Sequence, residues 1–463
     1  MGSCYECRIT IDGVEHERAC LRGVAGCSTV GTSAETRHVE PRSVRSLVCD
    51  VLVIGAGPAG LAAAASAARR GKRTVLVDEN EGLGGQIWRA DRGVESERRR
   101  DDVRAAGVEL LVGTSVVMPL GERRLRLAAR DATIDARFEA LVLATGATEL
   151  LLPFPGWTLP NVFGLGGLQA LAKGGLELAG KRVVLAGSGP LLLAVAAIVE
   201  ARGARVVALA EQASRANVNR FGLALTTRPA KLLQALGYAR SIAALRTDAW
   251  PVEAVGGERL RALVLRTPRG NATIGCDYAG VGFGLVPNGR LAAVLGCALD
   301  GRRVRVDALQ RATVPWIFAA GECTGVGGKD KALVEGAIAG ASAAGDPEPA
   351  QKLARARTRE LAFAERIERA FAPRAELRAL ARPDTIVCRC EDVTRAEIAQ
   401  PGTSPDDAWR STKLQTRAGM GACQGRVCGP ALEFLDGRAA RDARPPLAPV
   451  TLDALAVMPD ESR

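Results

Sequence analysis

Histidine is almost missing: the 463 residues hold only His16 and His38, both ahead of the first glycine-rich motif. The rest of the chain has no imidazole for proton transfer near neutral pH. That removes the usual base of a dehydrogenase and points toward electron relay, with substrate chemistry elsewhere. Aromatic residues make up only 4% of the chain. The net charge of +11 comes from dispersed arginines, with no basic stripe interleaved with aromatics, so a nucleic-acid partner is not expected. The run Arg98-Arg99-Arg100 reads as part of an exposed helix face. No apolar run approaches the ~18 residues that span a bilayer, so no transmembrane segment is expected and only peripheral membrane contact stays open. The longest, near Leu191–Val199, is placed inside a helix. No secretory signal is visible at the start.

Cysteine is present, and it is grouped. Most of the twelve lie toward the two ends, which suits metal sites better than a disulfide framework and implies a reducing, cytoplasmic location. Cys388-Arg389-Cys390 and Cys423-(x4)-Cys428 each let two thiolates face one centre from one loop. Glycines 419, 421, 425 and 429 let the backbone of the second loop turn tightly. Four thiolates from two loops suit zinc or an iron–sulfur cluster. An apolar content of 47% is ample for the two to four domains that the length suggests.

Asp50–Ile54 reads as a strand. Gly55-Ala56-Gly57-Pro58-Ala59-Gly60 follows, then the helix Leu61–Arg70 and a second strand, Thr74–Val77, ending in Asp78-Glu79. This is the full G-x-G-x-x-G pattern in the context that a dinucleotide requires. Gly55 makes the turn, Gly57 admits pyrophosphate, Gly60 permits helix packing, and Asp78 or Glu79 suits a ribose hydroxyl. The helix N-terminus supplies N–H groups for phosphate. A second unit of this kind follows. Lys181–Ala186 is a strand, Gly187-Ser188-Gly189-Pro190-Leu191-Leu192 a G-x-G-x-x-L loop, and Arg205–Ala210 a strand ending at Glu211. Glu211 favours NAD over NADP; the alternative is an empty domain or another adenine nucleotide. Residues Ala213–Leu245 read as mixed helix, an extra element and a candidate partner surface.

Three further segments resemble flavoproteins of the thioredoxin-reductase and glutathione-reductase type. These are Gly84-Gly85-Gln86, Ala144-Thr145-Gly146 after the strand Ala140–Leu143, and Ile317–Ala320 leading into Gly321-Glu322, with the helix Lys331–Ala344 behind. The resemblance implies FAD. The family motif usually ends Gly-Asp, so Glu322 takes that role with a longer side chain, or else serves as a helix N-terminal charge. No cysteine pair follows Gly84–Gln86, which argues against thiol–disulfide reductase activity. Cys323 reads as structural. Ile386–Thr394 and Thr416–Gly421 resemble the bacterioferritin-associated ferredoxin domain, which binds a 2Fe–2S cluster through C-x-C and C-x4-C. With flavin domains ahead of it, iron–sulfur is favoured over zinc.

Leu152–Pro160, Gly282–Asn288 and Gly321–Gly328 extend the likeness. From about Val48 to Gly437 the chain resembles the flavoprotein (alpha or A) subunits of heteromeric amino-acid dehydrogenases: opine oxidase, hydrogen cyanide synthase and D-hydroxyproline or proline dehydrogenase. The resemblance implies, as partner in a hetero-oligomer, a flavin-containing, amino-acid-oxidase-like beta subunit, and the proline dehydrogenases suggest FMN at the interface. No motif independently indicates an FMN site. Cys4, Cys7 and Cys20 resemble the last three ligands of a C-x4-C-x2-C ferredoxin-like subunit, with Arg8–Val14 as strand and turn between them. Cys27 or Cys49 is a candidate fourth ligand. The fold expected is α/β: two Rossmann-like domains plus a small α-rich 2Fe–2S domain. The boundaries are 1–22 partial ferredoxin segment, 23–48 linker, 49–155 and 285–346 FAD domain, and 156–284 NAD-like domain. Beyond these lie 347–383 helical connector, 384–437 cluster domain and 438–463 tail. The competing readings are a self-sufficient NADH-dependent flavin/iron–sulfur reductase and a non-catalytic redox or assembly module.

Overall fold

The computed structural model describes residues 8–11, 14–18, 30–31, 43–91, 93–398, 408–438, 443–451 and 455. The chain divides into two compact units. One comprises Met1–Ala34, Thr148–Leu285 and Arg366–Arg441; the other comprises Glu35–Ala147, Val286–Glu365 and Asp442–Arg463. Each has its own nucleotide-type sheet.

In the second-named unit a sheet runs in the order Glu109–Leu111, Thr74–Val77, Val44–Ile54, Thr133–Leu143, Arg124–Ala128, Ser115–Pro119. Thr133–Leu143 changes partner along its length. Its first half pairs antiparallel with Arg124–Ala128, and its last three residues pair parallel with Ile317–Ala319. The strands that carry the motifs are apolar on both faces, as parallel strands covered by helices must be; Val51, Leu52 and Val53 are all fully buried. The helix Pro58–Ala68 is mostly alanine because it lies close against the helix Lys329–Ala343. A Cβ at Gly336 or Gly340 would overlap the carbonyl of Ala59 or Ala63.

The strand expected from Asp50 begins at Val44, inside the expected linker. The helix around Arg98–Arg100 is Val94–Ala105, but its Arg100 corrects the reading of an exposed run. The guanidinium donates to the carbonyls of Leu83 at 3.2 Å, Asp91 at 2.7 Å and Trp88 at 2.6 Å. Three backbone acceptors repay the burial of the charge.

In the other unit the parallel order is Val162–Phe163, Tyr278–Gly282, Arg182–Gly187, Arg205–Glu211, Leu245–Arg246. A three-stranded antiparallel sheet, Trp250–Gly256, Leu260–Thr267 and Gly270–Gly275, adjoins it. The extra helical element is Arg215–Ala224, Pro229–Leu236 and Ala239–Ala244. Ile386–Cys388 and Val393–Thr394 form a short antiparallel pair. With the helices Arg395–Ile398, Ala408–Thr416 and Cys428–Asp436 it surrounds a small core of Val387, Ile398, Trp409 and Leu432.

This cysteine region is joined to the nucleotide sheet within one unit and does not stand alone. Leu377 and Leu380 enter the core that contains Trp157 and Phe283. The Trp157 indole Nε1 donates to Ile386 O at 2.6 Å, Arg382 pairs with Glu253 at 2.9 Å, and Arg378 lies over the Phe434 ring. In the N-terminal segment Arg8–Ile11 and Val14–Arg18 pair antiparallel, as the strand-and-turn reading expects. Cys4, Cys7, Cys20 and Cys27 lie outside the described residues.

Candidate cofactor sites

The four segments that sequence reading assigned to one flavin converge in one unit. Gly55 adopts φ +103° and lies so close to the Ala144 carbonyl that no side chain fits there. A Cβ on Gly60 would overlap the Gly55 carbonyl oxygen. Gly85 lies against Gly57, with 2.9 Å from its Cβ position to the Gly57 Cα, and Gly84 N donates to Ala56 O at 2.8 Å. Gly321 faces Ala59. Thr145 Oγ1 donates to Asn288 O at 2.7 Å, and Asn288 N to Gly146 O at 3.0 Å. Pro58 begins the helix whose N–H groups face this junction.

Asp78 is buried at the end of its strand. One oxygen accepts from Ala56 N at 2.5 Å, the other from the backbone and side-chain nitrogens of Asn80. Burial pushes its carboxyl above the ordinary range, against those hydrogen bonds. Glu79 and Gln86 are exposed.

Glu322 is the most informative residue here. Its Oε1 accepts from Gly328 N at 2.7 Å and Gly327 N at 3.4 Å. Its Oε2 is buried with no hydrogen-bond partner. A buried carboxylate oxygen without a donor is costly, and a ligand hydroxyl is the kind of donor that satisfies it. The residues therefore fit a flavin nucleotide.

Sequence reading missed Lys331 and Glu335, both 2% exposed at the side chain. Lys331 Nζ donates to Gly321 O at 2.9 Å, Thr324 Oγ1 at 2.9 Å and Glu335 Oε2 at 2.7 Å. That same carboxylate oxygen accepts from Gly321 N at 2.9 Å. The pair clamps the Gly321–Thr324 turn. The only signal was a Lys and a Glu four apart on one helix. Cys323, fully buried, donates to Leu143 O and Ala320 O, as a structural thiol does.

In the second nucleotide sheet Glu211 is 1% exposed. It accepts from Gly189 N at 2.7 Å and Ala213 N at 2.7 Å. Burial outweighs these bonds and raises its carboxyl to about 7. A Cβ on Gly189 would lie 3.9 Å from the Phe371 side chain, where a dinucleotide-binding loop normally faces phosphate. Ser188 Oγ donates to Phe371 O at 2.7 Å, and Gln212 bonds Ala372 O and Arg374 N. Gly187 abuts the Gly282 backbone.

Cys388, Cys423 and Cys428 are buried and Cys390 half-buried. The four free thiols lie within hydrogen-bonding reach of one another, Cys388 with Cys390 and Cys428, and Cys390 with Cys423. Cys388 is drawn far down by Cys390 and Cys428, and Cys423 falls to about 7 beside Cys390. Cys390 and Cys428 are pushed up as the donors of those bonds, chiefly to Cys388. A Cβ on Gly421 would overlap Cys390, so the loop can close on the first cysteine pair only with glycine there. Among the described residues no group of three or more His, Cys, Asp or Glu is arranged around one ion. A two-iron cluster makes a different demand, because its four thiolates divide between two irons. The donor set and the cradle fit that group. Cys49, one candidate for an additional ligand, is in the core of the other unit, where burial pushes its thiol up to about 12.

Residues 49–348 match the pyridine nucleotide-disulphide oxidoreductase family, and the chain belongs to it. It is an FAD-dependent oxidoreductase. It is 34% identical over 419 residues to hydrogen cyanide synthase subunit HcnB of Pseudomonas aeruginosa, covering 81% of this chain and 90% of that one. It is 30% identical to the opine oxidase A subunit of Rhizobium meliloti, covering 88% of this chain and 98% of that one. Its fold is similar to L-proline dehydrogenase from P. horikoshii, with TM-score 0.64 and 19% identity over 97% of this chain and 88% of that one. The thioredoxin reductase of T. acidophilum matches at TM-score 0.50 and 22% identity, covering 64% of this chain and 98% of that one. Among the described residues no helix is long and apolar enough to cross a membrane.

Proposed function

We propose that this chain is the FAD- and 2Fe–2S-bearing electron-transfer subunit of a multi-component dehydrogenase or oxidase. Its substrate is an amino or imino acid of the opine, hydroxyproline, proline or glycine class. Oxidation takes place on a flavin-containing, amino-acid-oxidase-like beta subunit, in the cytoplasm. The observation that carries this reading is the meeting of four thiols from two loops in a chain that matches named enzyme subunits over most of its length. FAD, when bound, accepts electrons in pairs and releases them singly, and a 2Fe–2S cluster carries one.

Gly57 admits the pyrophosphate, Gly55 and Gly60 supply the tight turn and the close helix packing that place it, and Asp78 orients the adenosine ribose. Gly85 and Ala144–Gly146 shape the walls, and Glu322 accepts from a hydroxyl of the flavin chain. Lys331 and Glu335 fix the Gly321 turn from behind. Cys388, Cys390, Cys423 and Cys428 hold the cluster. The absence of histidine beyond His38 agrees with proton chemistry on another chain.

The self-sufficient NADH-dependent reductase is the competing reading, and the intact Gly187–Gly189 loop favours it. Phe371 at that loop weighs against it. Anaerobic mixing separates the two. NADH alone should leave the flavin absorbance unchanged over many turnover times. The beta subunit with its substrate should bleach it. Bleaching by NADH within seconds, with no partner present, would overturn the assignment.

A further inference from the structure

The helical element between the strands Arg205–Glu211 and Leu245–Arg246 takes no part in any site described above. Between Glu211 and Asp248 the sequence contains no acidic residue, while it carries Arg215, Arg220, Arg228, Lys231, Arg240 and Arg246. The helices Arg215–Ala224 and Pro229–Leu236 bury none of their residues. Their leucines face water instead: Leu223 and Leu233 are each 72% exposed and Leu236 is 61% exposed. Ile242 on the next helix is 43% exposed. Leu233 and Leu236 lie three apart and share a helix face. Arg215, Arg220 and Arg246 are exposed alongside.

Isolated exposed leucines need no explanation, but several on adjacent short helices mark a contact surface. The charge pattern identifies the occupant. Protein interfaces deplete charge at their centre and keep a polar rim. A surface of apolar side chains set among basic ones, with no acid in the whole run, instead matches an anionic bilayer surface. There the leucines enter the acyl boundary and the exposed Arg215, Arg220 and Arg246 are drawn to the lipid phosphates.

We propose that residues 215–246 form a peripheral docking surface for anionic phospholipid, holding this flavoprotein unit against a membrane without spanning it. The proposal is independent of the iron–sulfur assignment. It is tested by co-sedimentation of the purified holo chain with large vesicles of phosphatidylcholine alone or with about a quarter phosphatidylglycerol.

Binding is expected only to the anionic vesicles at about 0.1 M salt, and lost at about 0.5 M, where screening shortens the reach of the charges. The double variant Leu233→Ser/Leu236→Ser should bind at least roughly tenfold more weakly, and Arg215→Glu/Arg220→Glu should abolish binding. Unchanged flavin absorption and far-UV circular dichroism establish that both variants are folded. Equal binding of wild type and variants, or equal binding to neutral vesicles, would overturn the proposal. So would a wild type that ignores vesicles while the leucine variant loses its partner protein on co-purification, which would make the surface a protein interface.

Discussion

Replacing Lys331 by methionine removes one partner of the buried pair that clamps the Gly321–Thr324 turn. Methionine keeps the length and apolar stem but has no donors. Three hydrogen bonds disappear, to Gly321 O, Thr324 Oγ1 and Glu335 Oε2. Glu335 then keeps only Gly321 N and the Thr324 hydroxyl as donors in a site 2% exposed. Breaking a buried pair from one side costs about 3–5 kcal/mol, because a charge is left without its counterpart. The two surviving donors place the expected loss near the lower end, about 3 kcal/mol. The double variant Lys331→Met/Glu335→Leu removes both charges and should recover at least about half of the loss, as replacement of buried pairs by apolar residues commonly does. Urea unfolding followed by circular dichroism gives the stabilities, and the flavin fluorescence released on unfolding reports the site. A single variant within about 0.5 kcal/mol of wild type, or a double variant worse than the sum of two singles, would refute the argument that the pair acts as one clamp.

Glu211 should give the protein a pH dependence that glutamine removes. Its carboxyl is raised to about 7 in the folded chain from the ordinary 4.5, chiefly by burial. The folded state therefore binds more protons than the unfolded one between those values. Stability falls as pH rises through that window, by about 3 kcal/mol in all, and levels off above it. Wild type should lose more stability than Glu211→Gln between pH 4.5 and 7; parallel curves would contradict the assignment. Gly340→Val places a branched side chain into the carbonyl of Ala63 and should separate two packed helices. We expect loss of FAD on gel filtration, whereas Gly82→Ala, where a Cβ meets nothing, should retain it. Arg100→Met should loosen the Leu83–Trp88 segment next to Gly84 and Gly85, raising the dissociation constant of FAD by at least about tenfold.

The glycine motifs were legible because close backbone approach leaves few residue choices, and the structure brings all four flavin segments to one place. The strand–loop–helix order of both nucleotide folds was legible for the same reason. The extension of the first strand to Val44 was not, since Arg45 and Ser46 carry no apolar alternation and pair only with a distant strand, Thr133–Leu143. Arg100 was misread because a charged run on a helix usually faces water, and its three carbonyl acceptors come from a loop that periodicity does not place. Lys331 and Glu335 escaped notice for the converse reason, as a charged pair on a helix that is buried. The cysteine region reads as a separate domain from its motifs alone. Its attachment through Leu377, Leu380 and the Trp157 indole depends on contacts far apart in sequence.

The most direct test of the central claim is iron, labile sulfide and flavin analysis of the purified chain and its Cys423→Ser variant, with electron paramagnetic resonance after reduction. Wild type should contain iron and sulfide in equal amounts beside one FAD, and show the signal of a reduced 2Fe–2S cluster. Cys423→Ser should lose that signal and its share of iron while keeping FAD, because the cysteine loops and the flavin segments lie in different units. Zinc in place of iron, or a variant that keeps the signal, would contradict the account.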